Sequence, residues 1–225
     1  GDQALAEVAA HAGVEGPVHT RIEAINRCLF GTLGFRGNRQ QYGDIRNSCL
    51  NQVIDRRTGI PITMAIVYME VARRAGLRAE GINFPGHFLV RVWDGAAGAD
   101  GDAGLIVDAF NDGAILTEQD CRALLARDED AIQFRPELLA RASRRQVFVR
   151  MLVNLKRLYV ENRSFPQAHT VTDALLARTP SSLAELRDRG LLSYHLHQHP
   201  AALPLLAALF RLPTLTGTAQ DARDE

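Results

Sequence analysis

The stretch that decides the fold runs from residue 59 to residue 92 and reads GIPITMAIVYMEVARRAGLRAEGINFPGHFLVRV. Its first half is apolar almost all round, has Pro61 where the first turn of a helix tolerates proline, and ends at Gly76. A helix this apolar is expected to be buried. The second half predicts two strands, 77–84 and 87–93, joined by a Pro-Gly turn. The stretch therefore predicts a central helix packed against an antiparallel sheet.

The segments on either side extend this pattern. Apolar spacing predicts three helices before the stretch, over residues 3–11, 20–30 and 47–58. After it, LIVDAF (105–110) predicts a third strand, and NDG (111–113) predicts a hairpin turn into AILT. Thr117 is predicted to cap the helix that follows, with Asp120 three residues further on. Strands and helices mixed in this way predict an α+β domain.

Strand patterns end near residue 140, and the rest of the chain is predicted to be all helical. Two of its segments form a weak repeat, because AHTVTDALLARTP (168–180) matches AALPLLAALFRLP (201–213) at an offset of 33 positions. This offset is close to the ~34-residue period of tetratricopeptide helix pairs. We therefore predict a core over residues 1–139 and a tail of helical hairpins over residues 140–225, and we expect the tail to bind a protein partner.

Composition and charge exclude several classes of function. The 225 residues carry 26 basic and 26 acidic side chains, so no net field draws the chain to nucleic acid or to an anionic membrane. No apolar run reaches the ~18 residues of a membrane span, and the first residues lack the basic start of a signal peptide. Three cysteines without a CxxC pair suit a reducing compartment. We expect a cytoplasmic protein without a cofactor.

Two polar residues in the predicted sheet point to acid–base chemistry. His87 heads one strand, directly after the Pro-Gly turn, and Asp108 interrupts the apolar run of the next strand. A buried carboxylate needs a partner, and an imidazole oriented by a carboxylate is the base-and-orienter half of a nucleophilic triad. Such a base needs a nucleophile at the N-terminus of a neighbouring helix, where the dipole lowers a thiol pKa. The helix that starts near Pro61 offers that end.

At this point the sequence resembles a known family. The run NSCLNQVIDRRTGIPITMAIVYMEVARRAGLRAEGINFPGHFLVRV, followed by IVDAFNDGAILTEQDC, resembles the transglutaminase-like core of the SirB type. The segments LKRLYVENRSFPQA and RDRGLLSYHLHQHPAAL resemble the tetratricopeptide-like tail of those proteins. The resemblance covers residues 40–213 and implies a papain-like topology for the core.

The resemblance also implies roles for residues of the site. In the wider transglutaminase-like superfamily a cysteine begins the central helix, a histidine lies on one strand and an aspartate on the next. His87 and Asp108 match the histidine and the aspartate. The cysteine of the Gly-x-Cys pattern falls on Pro61, counted from Gly59. The chain therefore shows a base and its orienter without their nucleophile, which implies a repurposed or catalytically silent site, as in SirB-type proteins generally.

Two residues are candidate substitutes for the missing nucleophile. Thr63 lies in the first turn of the central helix, where its hydroxyl either attacks a substrate or bonds locally. Cys49 precedes Pro61 in the preceding helix and is either a relocated thiol or a small buried hydrophobic residue. Cys28 and Cys121 lie in apolar helical contexts and are weaker candidates.

Three functions remain open for the sequence. The first, which we favour, is a catalytically silent transglutaminase-like domain with helical repeats that acts as a protein-interaction or regulatory module. The second is a hydrolase or acyltransferase in which Cys49 or Thr63 works with His87 and Asp108. The third is binding of a small ligand or peptide in the remnant cleft, where Asn111 is either a turn residue or a donor to the ligand. No transglutaminase activity is expected.

Two further clusters have alternative interpretations. The HLHQH run places His195 and His199 four residues apart, which is either a metal pair on one helix or a solvated turn between helices. No third ligand is close in sequence, and we expect no metal site. Arg56 and Arg57 precede the central helix and either attract an anion to its N-terminus or form the solvated end of the previous helix. The acidic link that contains Asp100 lacks the spacing of a calcium loop.

Overall fold

A computed structural model describes residues 16–94, 104–126 and 132–210 of the chain. The predicted helix over residues 3–11 and the acidic residue Asp100 lie outside the described residues. The chain divides into two compact units, residues 1–151 and residues 152–225, and we describe each by itself. In the part of the chain that the structure describes, no helix combines the length and the apolar character that a membrane span requires.

The first unit is α+β, as predicted. Its elements are, in chain order, helix α1 (Val18–Asn26) with a π-helical turn (Arg27–Thr32), strand β1 (Arg36–Gly37), a 3-10 turn (Ile45–Ser48), α2 (Leu50–Arg56), β2 (Thr58–Gly59), α3 (Pro61–Arg74), β3 (Leu77–Ile82), β4 (Leu89–Asp94), β5 (Leu105–Asp108), β6 (Ala114–Leu116), α4 (Glu118–Leu125) and a 3-10 turn (Pro136–Leu139). Helix α5 (Arg144–Glu161) begins in this unit and ends in the second.

Helix α3 is the buried centre of the first unit. It begins at Pro61, as predicted, because a first-turn residue needs no N–H for the helix and the fixed φ of proline suits that position. The side chains of Met64, Ala65, Tyr68 and Val71 are fully buried. Two arginines occupy the last turn, where the helix dipole favours positive charge, and Gly76 follows with φ +76°. This helix packs against β3 and β4.

The main sheet is an antiparallel meander in the order β3-β4-β5-β6. Its register pairs Ile82 with Leu89 at the start of β4 and Val90 with Val107 in the centre. Phe88, Leu89, Val90 and Val92 are buried, so both faces of β4 lie in apolar surroundings. A separate parallel pair joins β1 to β2. The α+β architecture confirms the prediction. In it, His87 and Asp108, here called the dyad, lie at one end of this sheet, where β4 begins and β5 ends.

Three predicted boundaries differ from the observed ones. His87 does not head the strand, because its N–H donates to the carbonyl of Phe84 at 3.2 Å and closes a turn, and β4 begins two residues later. The third strand ends at Asp108 and not at residue 110, because its carboxylate accepts the backbone N–H groups that follow. The helix predicted from Asn47 begins at Leu50, after a 3-10 turn that Asp44 caps.

The second unit is helical. Its described elements are the end of α5, then α6 (Phe165–Leu176), α7 (Leu183–His195) and α8 (His199–Phe210). Helix α6 packs on α7, and α7 packs on α8, where a Cβ atom at Gly190 would lie 2.9 Å from Leu206. The predicted boundary at residues 139 and 140 precedes α5, whereas the division between compact units falls inside that helix.

The one lysine of the chain links two helices of the second unit. Lys156 Nζ lies 2.8 Å from a carboxylate oxygen of Glu185 and 2.7 Å from one of Asp188, with only 12% of its side chain exposed. Burial works to raise the pKa of Asp188, but hydrogen bonds from Lys156 and Arg187 outweigh it and hold that pKa below its ordinary value. The ion pairs therefore join α5 to α7.

Candidate active site

The structure brings His87 and Asp108 together. The Nε2 atom of His87 lies 2.9 Å from Oδ1 of Asp108. The ring nitrogen is not aligned for a good hydrogen bond at this separation, so Nε2 lacks a well-formed partner. At this distance, a change in the orientation of the ring is enough to form the hydrogen bond. The predicted contact between His87 and Asp108 is thus present in the structure.

Asp108 is fixed by the loop that follows it. Only 1% of its side chain is exposed, and Oδ1 accepts the backbone N–H of Phe110 at 3.0 Å and that of Asn111 at 3.2 Å. The side-chain amide of Asn111 donates to Oδ2. Burial works to raise the pKa of Asp108, but the His87 imidazole and the bonds from Asn111 together hold it below its ordinary value. The carboxylate therefore stays ionised near neutral pH.

The ring of Phe110 forms the wall beside the dyad. It meets the imidazole of His87 edge-on with 5.9 Å between ring centroids, and the ring of Tyr42 edge-on at 6.2 Å. The guanidinium of Arg39 lies over the same ring at 5.9 Å and donates to the Asn111 side-chain oxygen. A Cβ atom at Gly37 would lie 2.5 Å from the carbonyl oxygen of Phe110, so this close approach requires glycine.

The start of helix α3 holds no free nucleophile. Pro61 is its first residue and is buried. The hydroxyl of Thr63 is 1% exposed, accepts the backbone N–H of Ile60 at 3.0 Å and donates to the carbonyl of Asn47 at 2.8 Å. The hydroxyl of Thr63 therefore bonds locally, and both its donor and its acceptor function are used.

The cysteines lie elsewhere. Cys49 directly precedes α2, is partly exposed, and its thiol lies 3.7 Å from the carbonyl oxygen of Ile45. Burial raises the pKa of the Cys28 thiol and that of the fully buried Cys121 thiol. Among the described residues, neither a cysteine nor a hydroxyl forms a hydrogen bond with the His87 ring.

The profile of the transglutaminase-like superfamily matches residues 2–153, which is more than half of the chain and contains the whole first unit after its first residue. The chain belongs to the transglutaminase-like superfamily. No solved structure matches it significantly.

Several curated proteins share this transglutaminase-like region. The chain is 38% identical over 192 residues to a UPF0162 protein of Xylella fastidiosa, covering 81% of this chain and 64% of that protein. It is 36% identical over 180 residues to F-box only protein 21 of Mus musculus, with 78% of this chain and 28% of that one covered. Protein SirB1 of Salmonella typhimurium is 27% identical over 184 residues, with coverage of 81% and 66%. The chain thus spans less than two thirds of the first two relatives.

Of the predicted site residues, His87 and Asp108 lie in contact and Pro61 begins α3, and their roles stay predictions. Asn111 is a turn residue whose backbone N–H and side-chain amide both donate to Asp108, and its donation to a ligand stays a prediction. Sequence reasoning missed Arg39 and Phe110. Arg39 lies in the polar loop before Asp44, and the local sequence carries no signal of its contact with Asn111, 72 positions away.

The structure also places the histidine pair and the arginine pair that the sequence singled out. His195 ends α7 and His199 begins α8, so the two do not share one helix, and the ring of His195 stacks on Phe165 at 4.6 Å. Within residues 16–94, 104–126 and 132–210, no group of three or more candidate ligands is placed to hold a metal ion. Arg56 pairs with Asp44 at 3.0 Å, and Arg57 donates to the carbonyl of Leu33 at 2.8 Å.

Proposed function

We propose that this chain is a catalytically silent transglutaminase-like domain that acts, with its helical tail, as a protein-interaction or regulatory module. One observation carries the silent assignment. Pro61 occupies the position where the superfamily places its cysteine, and the nearby hydroxyl of Thr63 is buried and committed to Ile60 and Asn47. A base without a nucleophile can bind a proton or a ligand, but it cannot form a covalent acyl intermediate.

The interaction role is supported by the surface of the tail. Leu183, Leu191 and Tyr194 are 52%, 45% and 56% exposed, and all three belong to α7. At about 100° per residue, they lie within about 80° of one another on the helix. Large apolar side chains grouped on one exposed face are typical of a surface that binds another protein. We propose that α6, α7 and α8 form the tetratricopeptide-like array that presents this face.

One observation favours a second candidate, a hydrolase or acyltransferase. The His87 and Asp108 pair is kept, with the 2.9 Å contact that a general base and its orienter require. Cys49 is partly exposed, so its thiol is open to reagents. In this alternative a rearrangement brings Cys49 or Thr63 to the imidazole. The enzyme would then lose its activity in His87→Ala.

Thiol alkylation of the native protein against pH tests the silent assignment. Each cysteine is followed by mass spectrometry in the unchanged chain, in His87→Ala, and in His19→Ala as a control for loss of an exposed histidine. We expect Cys49 to label at the same rate in all three proteins, and Cys28 and Cys121 to label slowly because burial raises their pKa. Fast labelling of Cys49 below pH ~7 that His87→Ala alone slows would establish the enzyme alternative.

The interaction role needs a separate test. Proteins that the chain captures from a cell extract are compared with those captured by a variant with Leu183→Asp, Leu191→Asp and Tyr194→Asp. These side chains are exposed, so the variant is expected to keep its helical circular dichroism. We expect at least one partner to be lost selectively. An unchanged set of captured proteins would contradict a role for this face of α7.

A further inference from the structure

A cleft opens beside the loop that follows Asp108, within the first unit. Its volume is about 640 Å³, and Phe110 separates it from His87. Three arginines line it: Arg36, Arg39 and Arg56. The acidic side chain in its lining is Asp112. A cleft with three guanidinium groups and one carboxylate has the charge of an anion site.

Two of these arginines form no ion pair with a carboxylate among the described residues. Arg36 lies on β1 with its side chain exposed, and it forms no ion pair with any residue that the structure describes. Arg39 donates to the side-chain oxygen of Asn111, which is a neutral amide. That bond also fixes the guanidinium over the Phe110 ring. Both groups therefore keep a full positive charge available to a ligand in the cleft.

The third arginine has an unused donor. One terminal nitrogen of Arg56 pairs with Asp44 at 3.0 Å, while the other, NH1, is buried and has no acceptor among the described residues. Asp44 also binds Arg46 at 2.8 Å, and that bond chiefly holds the pKa of Asp44 below its ordinary value. Asp44 is thus shared between two guanidinium groups. Because this nitrogen is buried, Arg56 contributes positive charge to the cleft rather than a direct contact to a ligand.

We propose that this cleft binds the phosphate group of a small phosphorylated ligand. A phosphate monoester carries about two negative charges and three acceptor oxygens, which suits the guanidinium groups of Arg36 and Arg39 together with the added positive charge of Arg56. A carboxylate would satisfy only one arginine by a bidentate contact. The proposal does not depend on the tail or on the silent dyad, because neither supplies the arginines.

Thermal unfolding with matched anions tests the site. The full chain is melted in inorganic phosphate, in acetate and in chloride at equal ionic strength and pH. We expect Tm to rise in phosphate over chloride, saturably, by about 3–6 °C at ten times Kd. The R36Q/R39Q variant is expected to lose this rise. A control variant, R27Q/R163Q, removes the same charge from exposed positions outside the cleft and is expected to keep it.

Any one of the following results would overturn the proposal of a phosphate site. No rise in phosphate over chloride excludes the site, and an equal rise in R36Q/R39Q places the anion elsewhere. An equal rise in acetate would assign the cleft to a carboxylate ligand. If R36Q/R39Q unfolds at room temperature, titration calorimetry of phosphate into R36Q alone replaces the melt, with a loss of at least tenfold in affinity expected. Unchanged affinity in R36Q would refute the assignment.

Discussion

The hydroxyl of Thr63 donates to the carbonyl oxygen of Asn47 across 2.8 Å and ties the first turn of α3 to the 3-10 turn before α2. The same oxygen accepts the N–H of Ile60, which would otherwise be an orphan donor at the helix start. Thr63, a candidate substitute nucleophile in the sequence, therefore links two elements by hydrogen bonds. Its hydroxyl has no remaining proton to offer to His87.

Replacement of Thr63 should reveal this structural role. Thr63→Val keeps the shape but leaves the N–H of Ile60 and the carbonyl of Asn47 unpaired, so we expect a loss of about 1–3 kcal/mol in the free energy of unfolding. Thr63→Ser keeps the hydroxyl and should lose less. Urea unfolding at neutral pH measures both. A smaller loss in Thr63→Val than in Thr63→Ser would mean that the methyl group, and not the hydroxyl, matters at this position.

Restoring the missing thiol should restore a reactive centre. In Pro61→Cys the new side chain stands at the first residue of α3, where the helix dipole favours the thiolate. From the family resemblance we also expect the imidazole of His87 to favour it. We expect the pKa of the new thiol to lie below the ordinary ~8.5, and His87→Ala in the same background to raise it. Ultraviolet absorbance of the thiolate against pH, with the unchanged chain subtracted, measures the shift. If the pKa of the thiol at position 61 is the same with and without His87→Ala, position 61 does not face the imidazole.

Loss of the imidazole should destabilise the fold in a way that depends on pH. Because the folded-state pKa of Asp108 is lowered, its contribution to stability is present above the unfolded pKa of ~3.9 and is lost as pH falls through the folded pKa. We expect His87→Ala to cost about 1–3 kcal/mol near neutral pH. The gap to the unchanged chain should narrow below pH ~4 in urea unfolding. A gap that is constant with pH would indicate lost packing against Phe110 and no loss of charge pairing.

The ion pairs of Lys156 should support the second unit in the same pH range. Lys156→Met leaves Glu185 and Asp188 without their shared cation, and we expect a loss of about 1–3 kcal/mol near neutral pH. The lowered pKa of Asp188 adds stability above the unfolded pKa of ~3.9, and acid removes it. Asp188→Asn should therefore flatten the acid limb of the stability curve.

Helical circular dichroism of Lys156→Met and Asp188→Asn, followed against pH, measures the contribution of these ion pairs to the stability of the second unit. An acid limb that Asp188→Asn leaves unchanged would contradict the role given to the Lys156 pair. The exposed pair of Arg157 with Glu161 is a suitable control, because exposed ion pairs contribute little to stability. Arg157→Gln should leave the curve close to that of the unchanged chain.

Features that depend on neighbouring residues were predictable from the sequence. The apolar run and its stop at Gly76 gave helix α3, and the Thr117 and Asp120 pair forms the predicted reciprocal cap, with the Thr117 N–H bonded to Asp120 at 2.8 Å. The pairing of His87 with Asp108 followed from strand order, because consecutive strands of a meander are adjacent. Each of these inferences used only local pattern or chain order.

Features that depend on contacts between distant segments were not predictable. The side chain of Arg39 meets Asn111 across 72 positions, and Gly37 meets Phe110 across a similar distance in sequence. Neither residue has a local pattern that distinguishes it from others in a polar loop. The exact start of β4 was missed for a related reason, since the bond from His87 to Phe84 ends the turn and depends on backbone geometry.

The environment of Lys156 has a consequence for amine chemistry. It is the one lysine in the sequence, and its ammonium group is enclosed by two carboxylates that favour the protonated, non-nucleophilic form. Activated esters, acetyl donors and isopeptide-forming enzymes all need a free ε-amine. In the folded chain that group is withheld, so this transglutaminase-like protein should be a poor lysine donor in cross-links, and lysine-directed coupling should succeed mainly after the second unit unfolds.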